Sequence, residues 1–298
     1  MLLVPLLLAG CGTSSSGSPG RLRVVADFYP VQFLAQRVGG DRVSVADLTP
    51  PGTEPHELAV DAKGAGALAD ANVVFYLGAG FQPDVQKAVG ELPRSVRRTD
   101  LLSVPGVNLL PAPSVLGREA LAGGKDPHVW LDPLRMRAMA AAVAGAYERA
   151  DPEHADGYRD NLARLQRDLD RLHSDLRADL TGCAQTSIVT SHAAFGYFAR
   201  RYGLRQIPIA GLSPDAEPDA KTLATISRQA RKAGVHTVYF EEALPPKLAD
   251  TVAAEIGARV DLLAALEFDP TRALGAGQDY LTVMRGNGRR LHSGLECR

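Results

Sequence analysis

Short apolar runs alternate with amphipathic segments along almost all of the chain after Arg21. Residues 73–77 form a continuous apolar run, typical of a strand covered on both faces, whereas residues 42–48 alternate apolar and polar positions. The same patterns predict further strands at residues 22–28, 187–190, 204–209, 237–240 and 259–263. Because helical segments separate these strands, the chain is predicted to have an α/β fold with parallel sheets covered by helices on both sides.

Helical spacing of apolar residues is clearest at residues 152–180. One apolar stripe runs along this segment, with Arg and Asp on the other faces. A helix of that length spans about 40 Å. We expect it to run along two lobes as a brace, the alternative being a plain core helix of one lobe. Other helices are predicted at residues 30–39, 62–71, 134–149, 193–202, 218–233, 246–256 and 278–293 and near Pro83, and residues 103–125 are predicted to be a surface loop.

The first residues differ in composition from the rest of the chain. Residues 1–11 form an apolar run that is too short to span a bilayer but suits the core of a secretory signal. The run ends in small residues before Cys11, as in a bacterial lipobox, so we expect a lipid on Cys11, although no Lys or Arg precedes the run. The expected division is a signal and flexible Ser/Gly-rich tether at 1–20, an N-terminal α/β lobe at 21–150, a linking helix at 151–182 and a C-terminal α/β lobe at 183–298.

The charges of the chain nearly cancel. The 33 Lys and Arg residues oppose 34 Asp and Glu residues, which gives a formal net charge of -1. This balance provides no electrostatic footprint for nucleic acid, and any bound cation must be held by local ligands.

Cys183 and Cys297 are the two cysteines beyond Cys11. In an exported protein, such a pair is expected to form a disulfide. The bond would pin the carboxyl end of the chain to the start of the second lobe.

Three of the seven histidines occupy similar places in the pattern. His56 ends a proline-stiffened loop after a predicted strand, His128 lies between two Asp-Pro steps, and His192 follows the strand at residues 187–190. In open α/β sheets, ligands collect outside the carboxyl ends of the strands, so we expect the three imidazoles to converge on a metal ion such as zinc. The other four histidines are expected to be structural: His154, His173, His236 and His292.

A fourth ligand is expected from the second lobe, so that both lobes hold the ion. Glu267 follows the predicted strand at residues 259–263, with Asp269 as the nearby alternative. Glu241 and Glu242 end the preceding strand and are also candidates. Three imidazoles and one carboxylate would form the closed tetrahedral site that zinc accepts.

These segments resemble a family, the metal-binding lipoproteins of bacterial ABC importers that carry zinc and manganese. Residues 50–57, 126–133 and 190–198 look like its three histidine motifs. Residues 78–81, 240–241, 246–249 and 280–285 match other segments of the family, so the resemblance covers almost everything after the tether.

The resemblance implies two lobes with parallel sheets joined by a long rigid helix, with the metal site in the interlobe cleft and limited hinge motion. It places the fourth carboxylate at Glu267, while Asp269 remains an alternative. Manganese-binding members carry a carboxylate where His192 stands, so the imidazole favours zinc. Many zinc members have a His-rich loop between the first two motifs, but residues 103–125 contain no histidine, which argues against a capture role for this loop.

The predicted function is therefore that of a binding protein and not an enzyme. We expect a monomer, anchored by lipid on the extracytoplasmic face of the cell membrane, that captures Zn²⁺ and delivers it to an ABC permease. Manganese or iron binding on the same scaffold is one alternative. A zinc hydrolase with Glu267 as general base is another, although the chain has neither an HExxH motif nor a nucleophile elbow.

Overall fold

Two parallel four-stranded sheets form the framework of the protein. The computed structural model describes residues 20–113, 124–213, 218–242 and 246–298. The first sheet has the order β2-β1-β3-β4 and contains β1 (Leu22–Ala26), β2 (Val43–Asp47), β3 (Val73–Tyr76) and β4 (Arg97–Asp100). The second has the order β6-β5-β7-β8 and contains β5 (Ser187–Thr190), β6 (Arg205–Pro208), β7 (Thr237–Phe240) and β8 (Arg259–Leu262). The predicted α/β fold with parallel sheets is confirmed.

Helices connect and cover the strands. Several begin at an Asp that accepts a backbone N–H of the first turn, as Asp132 does before Pro133–Ala150 and Asp279 before Tyr280–Gly294. The α-helices of the described residues are α1 (Tyr29–Gly39), α2 (Ala62–Asp70), α3 (Pro83–Glu91), α4 (Pro133–Ala150), α5 (Ala155–Asp179), α6 (Gly196–Tyr202), α7 (Ala220–Lys232), α8 (Lys247–Ile256), α9 (Pro270–Ala273) and α10 (Tyr280–Gly294).

The two faces of the first sheet belong to different hydrophobic clusters. Along β1, Val24 and Ala26 belong to the largest cluster, whereas Val25 belongs to a second cluster with residues of α2 and α3. This alternation follows from the period of two along a strand. Both faces of the central strands are therefore shielded from water, as the apolar run at residues 73–77 predicts.

The long helix α5 contains 25 residues and would extend about 37 Å. Its buried positions include Leu165, Leu169, Leu172 and Leu176. It packs against α1 and α4, which precede it in the chain, and against α10, which follows the second sheet. The largest hydrophobic cluster therefore contains residues of both lobes, and the predicted linking helix is confirmed.

Cys183, which precedes β5, and Cys297, which follows α10, form a disulfide. The bond joins the beginning of the second sheet to the end of the last helix, as the cysteine count predicts.

One strand and one α-helix of the described residues escaped prediction. The edge strand β4 pairs only with β3 and consists of polar residues, so no apolar pattern marks it. Helix α9 is a four-residue turn after Asp269.

The predicted lipidation at Cys11 lies outside the described residues, as does part of the predicted loop at 103–125. The division of the chain at residues 20, 150 and 182 stays a prediction. Within the described ranges, no helix combines the length and the apolar character needed to cross a bilayer.

Candidate metal centre

Four buried side chains meet where strands of both sheets end: His56, His128, His192 and Glu267. One ligand atom from each lies within 4.8 Å of the others. Glu267 Oε1 lies 3.1 Å from His192 Nε2, 3.4 Å from His128 Nε2 and 3.5 Å from His56 Nε2. Donors at about 2.1 Å around a tetrahedral zinc ion would be about 3.4 Å apart, so these spacings fit such an ion.

His56 is presented by a proline-stiffened loop. Pro55, His56 and Glu57 form one 3₁₀ turn, which follows the exposed residues 50–52 after β2. The imidazole packs edge-on against Phe81, with ring centroids 4.6 Å apart. Among the parts of the chain that the structure describes, neither ring nitrogen of His56 has a hydrogen-bond partner. Packing therefore holds this ring.

His128 is held by the carboxylate two residues before it. Asp126 Oδ1 accepts the His128 backbone N–H at 3.0 Å and lies 2.8 Å from His128 Nδ1. Tyr197 Oη donates to the Asp126 carbonyl at 2.6 Å. A Cβ at Gly196 would lie 2.7 Å from Asp126 Oδ2, so this position of α6 has no room for a side chain. With Nδ1 facing a carboxylate, Nε2 is left free to face the centre.

His192 is held by Glu241, which directly follows β7. Its backbone N–H donates to Glu241 Oε1 at 3.1 Å, and its Nδ1 lies 2.7 Å from Glu241 Oε2. The second contact is not aligned as a linear hydrogen bond, so it acts mainly through charge. Glu241 therefore positions the ring and turns Nε2 towards Glu267.

The structure gives different contacts to the four carboxylates that the sequence offers as the fourth ligand. Glu267 Oε1 faces the three imidazoles, whereas Asp269 caps α9 by accepting from the Thr271 backbone N–H at 2.9 Å. Glu241 contacts the far side of His192. Glu242 accepts two backbone N–H groups of the segment before Glu267. Glu267 alone among these candidates joins the cluster.

The electrostatics of the four groups reflect burial and mutual contact. Burial lowers the pKa of His56. Burial also opposes protonation of His128 and His192, but the pKa of His128 is raised by hydrogen bonds to Asp126 and Glu267, and that of His192 is raised well above its usual value by the charges of Glu241 and Glu267. Burial disfavours ionised Glu267, yet the neighbouring imidazoles hold its pKa well below its usual range. The raised pKa values favour protons on His128 and His192, which balance this carboxylate when no metal is bound.

The second Asp-Pro step has a structural role. Asp132 caps α4 by accepting from the Leu134 backbone N–H at 3.0 Å. Its carboxylate also pairs with Arg201 of α6 at 2.8 Å and with Arg135. Arg201 belongs to the predicted second lobe, so this ion pair links the His128 segment to that lobe.

The remaining histidines lie outside the cluster, as predicted. Each has another partner: His154 contacts Asp151, His173 contacts Tyr202 Oη, His236 contacts Glu296, and His292 contacts the Asp179 carbonyl.

Sequence reasoning missed the supporting roles of Asp126 and Glu241. In the sequence, Asp126 stands out only as part of an Asp-Pro step. Glu241 stands out only as a candidate ligand at the end of a strand. The spacing of two residues between Asp126 and His128 is the signal that could have identified the first of them. For Glu241 no local signal exists, since its partner is 49 residues away.

A buried cluster of three imidazoles and one carboxylate, contributed by segments of both halves of a fold with two parallel sheets, defines a two-lobe metal-binding protein. The chain belongs to the family described as "ZnuA: Zinc-uptake complex component A periplasmic", whose match covers residues 24–294. The resemblance seen in the histidine motifs is thereby confirmed. The family is a component of zinc uptake and not a class of enzyme, in agreement with the prediction.

Named relatives and solved structures support this placement. The "Zinc-binding lipoprotein AdcA" of Streptococcus pneumoniae serotype 4 is 33% identical over 290 residues, which cover 96% of this chain and 58% of the relative. The "High-affinity zinc uptake system protein ZnuA" of Bacillus subtilis is 33% identical over 298 residues, which cover 95% of this chain and 92% of the relative. The Zn(II)-bound ZnuA-like domain of Streptococcus pneumoniae AdcA superposes with a TM-score of 0.78 at 32% identity and covers 93% of this chain and 100% of that domain. The chain spans about half the length of the AdcA relatives.

Proposed function

We propose that this chain captures Zn²⁺ outside the cytoplasmic membrane and delivers it to the permease of an ABC importer. The ion is cargo, bound by His56, His128, His192 and Glu267. The observation that carries the proposal is the buried set of donors, three nitrogens and one oxygen, that lie within 4.8 Å of one another. Three nitrogen donors favour zinc over manganese, which prefers oxygen ligands.

The position of Glu267 also favours a metal-binding function over a hydrolytic one. A hydrolytic centre needs three protein ligands, an open position for water and a free general base. Here Glu267 Oε1 lies among the three Nε2 atoms, at 3.1–3.5 Å from each. It therefore closes the site as a fourth ligand, which suits storage and transfer of an ion.

The membrane setting forms the second half of the proposal. The family description supports a location outside the cytoplasm, and the pneumococcal relative is named a lipoprotein. We expect lipid on Cys11 to tether a monomer beside its permease. Mass spectrometry of the membrane fraction would detect the lipid, and Cys11→Ser should release the protein from the membrane.

Titration of the metal-free protein with Zn²⁺ tests the site. His56→Ala, His128→Ala and His192→Ala should each weaken binding about 100-fold or more, or about 3 kcal/mol. The matched control is His173→Ala, which removes a partly buried imidazole on α5 and should leave the affinity unchanged. Zinc bound equally well by the triple variant would refute the assignment. Competition with Mn²⁺ in the same titration tests the alternative cargo.

A further inference from the structure

The segment that carries Glu267 contains a strained residue. Leu266 has φ +60°, in the left-handed region that side chains other than Gly seldom adopt. Its side chain is fully buried. Such a conformation persists only where the surroundings impose it, so something must hold the residue just before Glu267.

Side-chain hydrogen bonds to the backbone surround this residue. Glu242 accepts both consecutive N–H groups, that of Ala265 at 2.9 Å through Oε2 and that of Leu266 at 2.8 Å through Oε1. Asn287 forms a reciprocal pair with Ala264, accepting its N–H at 3.0 Å and donating to its carbonyl at 2.8 Å.

A third side chain that bonds to this backbone comes from the segment that carries His128. The Trp130 indole N–H donates to the Ala265 carbonyl at 2.8 Å. Trp130 lies two residues after His128, and Tyr280 Oη donates to its carbonyl at 2.7 Å. The backbone before Glu267 is therefore tied to the segment that carries His128.

We propose that Glu242 is a positioning residue for the metal centre, which holds the left-handed backbone at Leu266 so that Glu267 Oε1 stays among the imidazoles. Asn287 and Trp130 complete this clamp. Both carboxylate oxygens of Glu242 accept backbone N–H groups just before Glu267, so the clamp acts through the backbone. The inference rests on the proposed function, because it assigns a role at the same site.

Glu242→Gln in the full chain tests the clamp. The variant keeps one acceptor oxygen but turns an amide donor towards a backbone N–H. Zinc affinity should fall about 10- to 100-fold, as is typical when a group that orients a ligand is lost. With Co²⁺ as a probe, the absorption of a four-coordinate tetrahedral centre should weaken as the carboxylate is displaced. The matched control is Glu255→Gln, which alters a carboxylate of the same lobe that accepts from Ser227 Oγ and should change neither readout.

A double-variant cycle shows whether Glu242 acts through Glu267. Glu267→Ala removes the ligand directly. If the clamp serves Glu267, adding Glu242→Gln to Glu267→Ala should weaken binding less than about threefold further. Additive losses would overturn the proposal.

Other outcomes are equally decisive. If Glu242→Gln binds zinc and Co²⁺ like the unchanged protein, the clamp is wrong and the proposed function stands. If the unchanged protein binds no zinc, both the clamp and the proposed function are wrong.

A second variant tests the clamp if Glu242→Gln does not fold. Trp130→Phe keeps an aromatic ring but removes the hydrogen bond to the Ala265 carbonyl. It should then lower the affinity with the same change in the Co²⁺ spectrum, and an unchanged spectrum would overturn the proposal.

Discussion

His56 and His192 reach the same cluster but are held by opposite means. His192 directly follows β5, and Glu241 contacts both its backbone N–H and its Nδ1. His56 ends an exposed loop, packs on Phe81 and has no hydrogen bond from either ring nitrogen within the described ranges. The carboxylate of Glu241 therefore holds the His192 ring, whereas packing holds the His56 ring. The first should therefore respond to pH and to its carboxylate, and the second to the stiffness of its loop.

The largest effect is expected from pH. His128 and His192 have raised pKa values, so in the metal-free protein they hold protons that an incoming ion must displace. As the pH falls through those values, zinc affinity should drop by about tenfold or more per unit, whereas the lowered pKa of His56 adds little competition. Affinities measured between pH 8 and pH 5.5 with a chelator calibrated at each pH would show the slope. A flat profile would contradict the proton balance inferred for the cluster.

Loss of the carboxylate partners should come next. Glu241→Gln and Asp126→Asn leave the ligands in place but remove the charges that orient them, and each should weaken zinc binding about 10- to 100-fold. Glu241→Gln should also flatten the pH profile, because the charge of Glu241 raises the pKa of His192. Glu57→Gln, an exposed carboxylate beside His56, is the control and should change little. If all three variants weakened zinc binding equally, the overall charge of the protein, and not contact with the histidines, would determine the affinity.

Loosening the His56 loop should have a smaller effect. Pro55→Ala frees the φ angle at the first residue of the 3₁₀ turn. The free loop then loses more entropy on binding, about 0.4–1 kcal/mol, which corresponds to a two- to fivefold loss of affinity. Stopped-flow exchange against a chelator would show the loss. Pro93→Ala, in an exposed turn before β4, should leave zinc release unchanged. No difference between the two variants would show that packing on Phe81 alone holds the ring.

The smallest effect on affinity is expected from the disulfide. The Cys183→Ser, Cys297→Ser double variant opens a link between residues 114 positions apart and should destabilise the fold by up to about 4–5 kcal/mol, seen as a lower melting temperature. Zinc affinity should change less than about twofold, because Cys183 precedes β5 while His192 follows it, at the other end of the strand. A tenfold loss would show that the lobe, and not Glu241 alone, holds His192.

Much of the fold could be predicted from local pattern. The strands at Ser187–Thr190 and Thr237–Phe240 are marked by short apolar runs, and their bounds agree with prediction. The edge strand Arg97–Asp100 could not be predicted in this way, because only one neighbour covers it and its residues are polar. At the centre, the histidines stand out because each follows a strand or a proline-rich step. The choice of Glu267 over Asp269 depended on family resemblance and not on pattern.

The sequence by itself determined the period of the elements, the stiffness around His56 and His128, and donor chemistry suited to zinc, because these are properties of neighbouring residues. Only the tertiary structure decided that donors up to 211 positions apart lie within 4.8 Å of one another. It also decided which carboxylate faces the three imidazoles, since Asp269 caps a helix while Glu242 and Trp130 bond to the backbone before Glu267. Such contacts arise from how two sheets and a long helix pack together, and no local pattern encodes them.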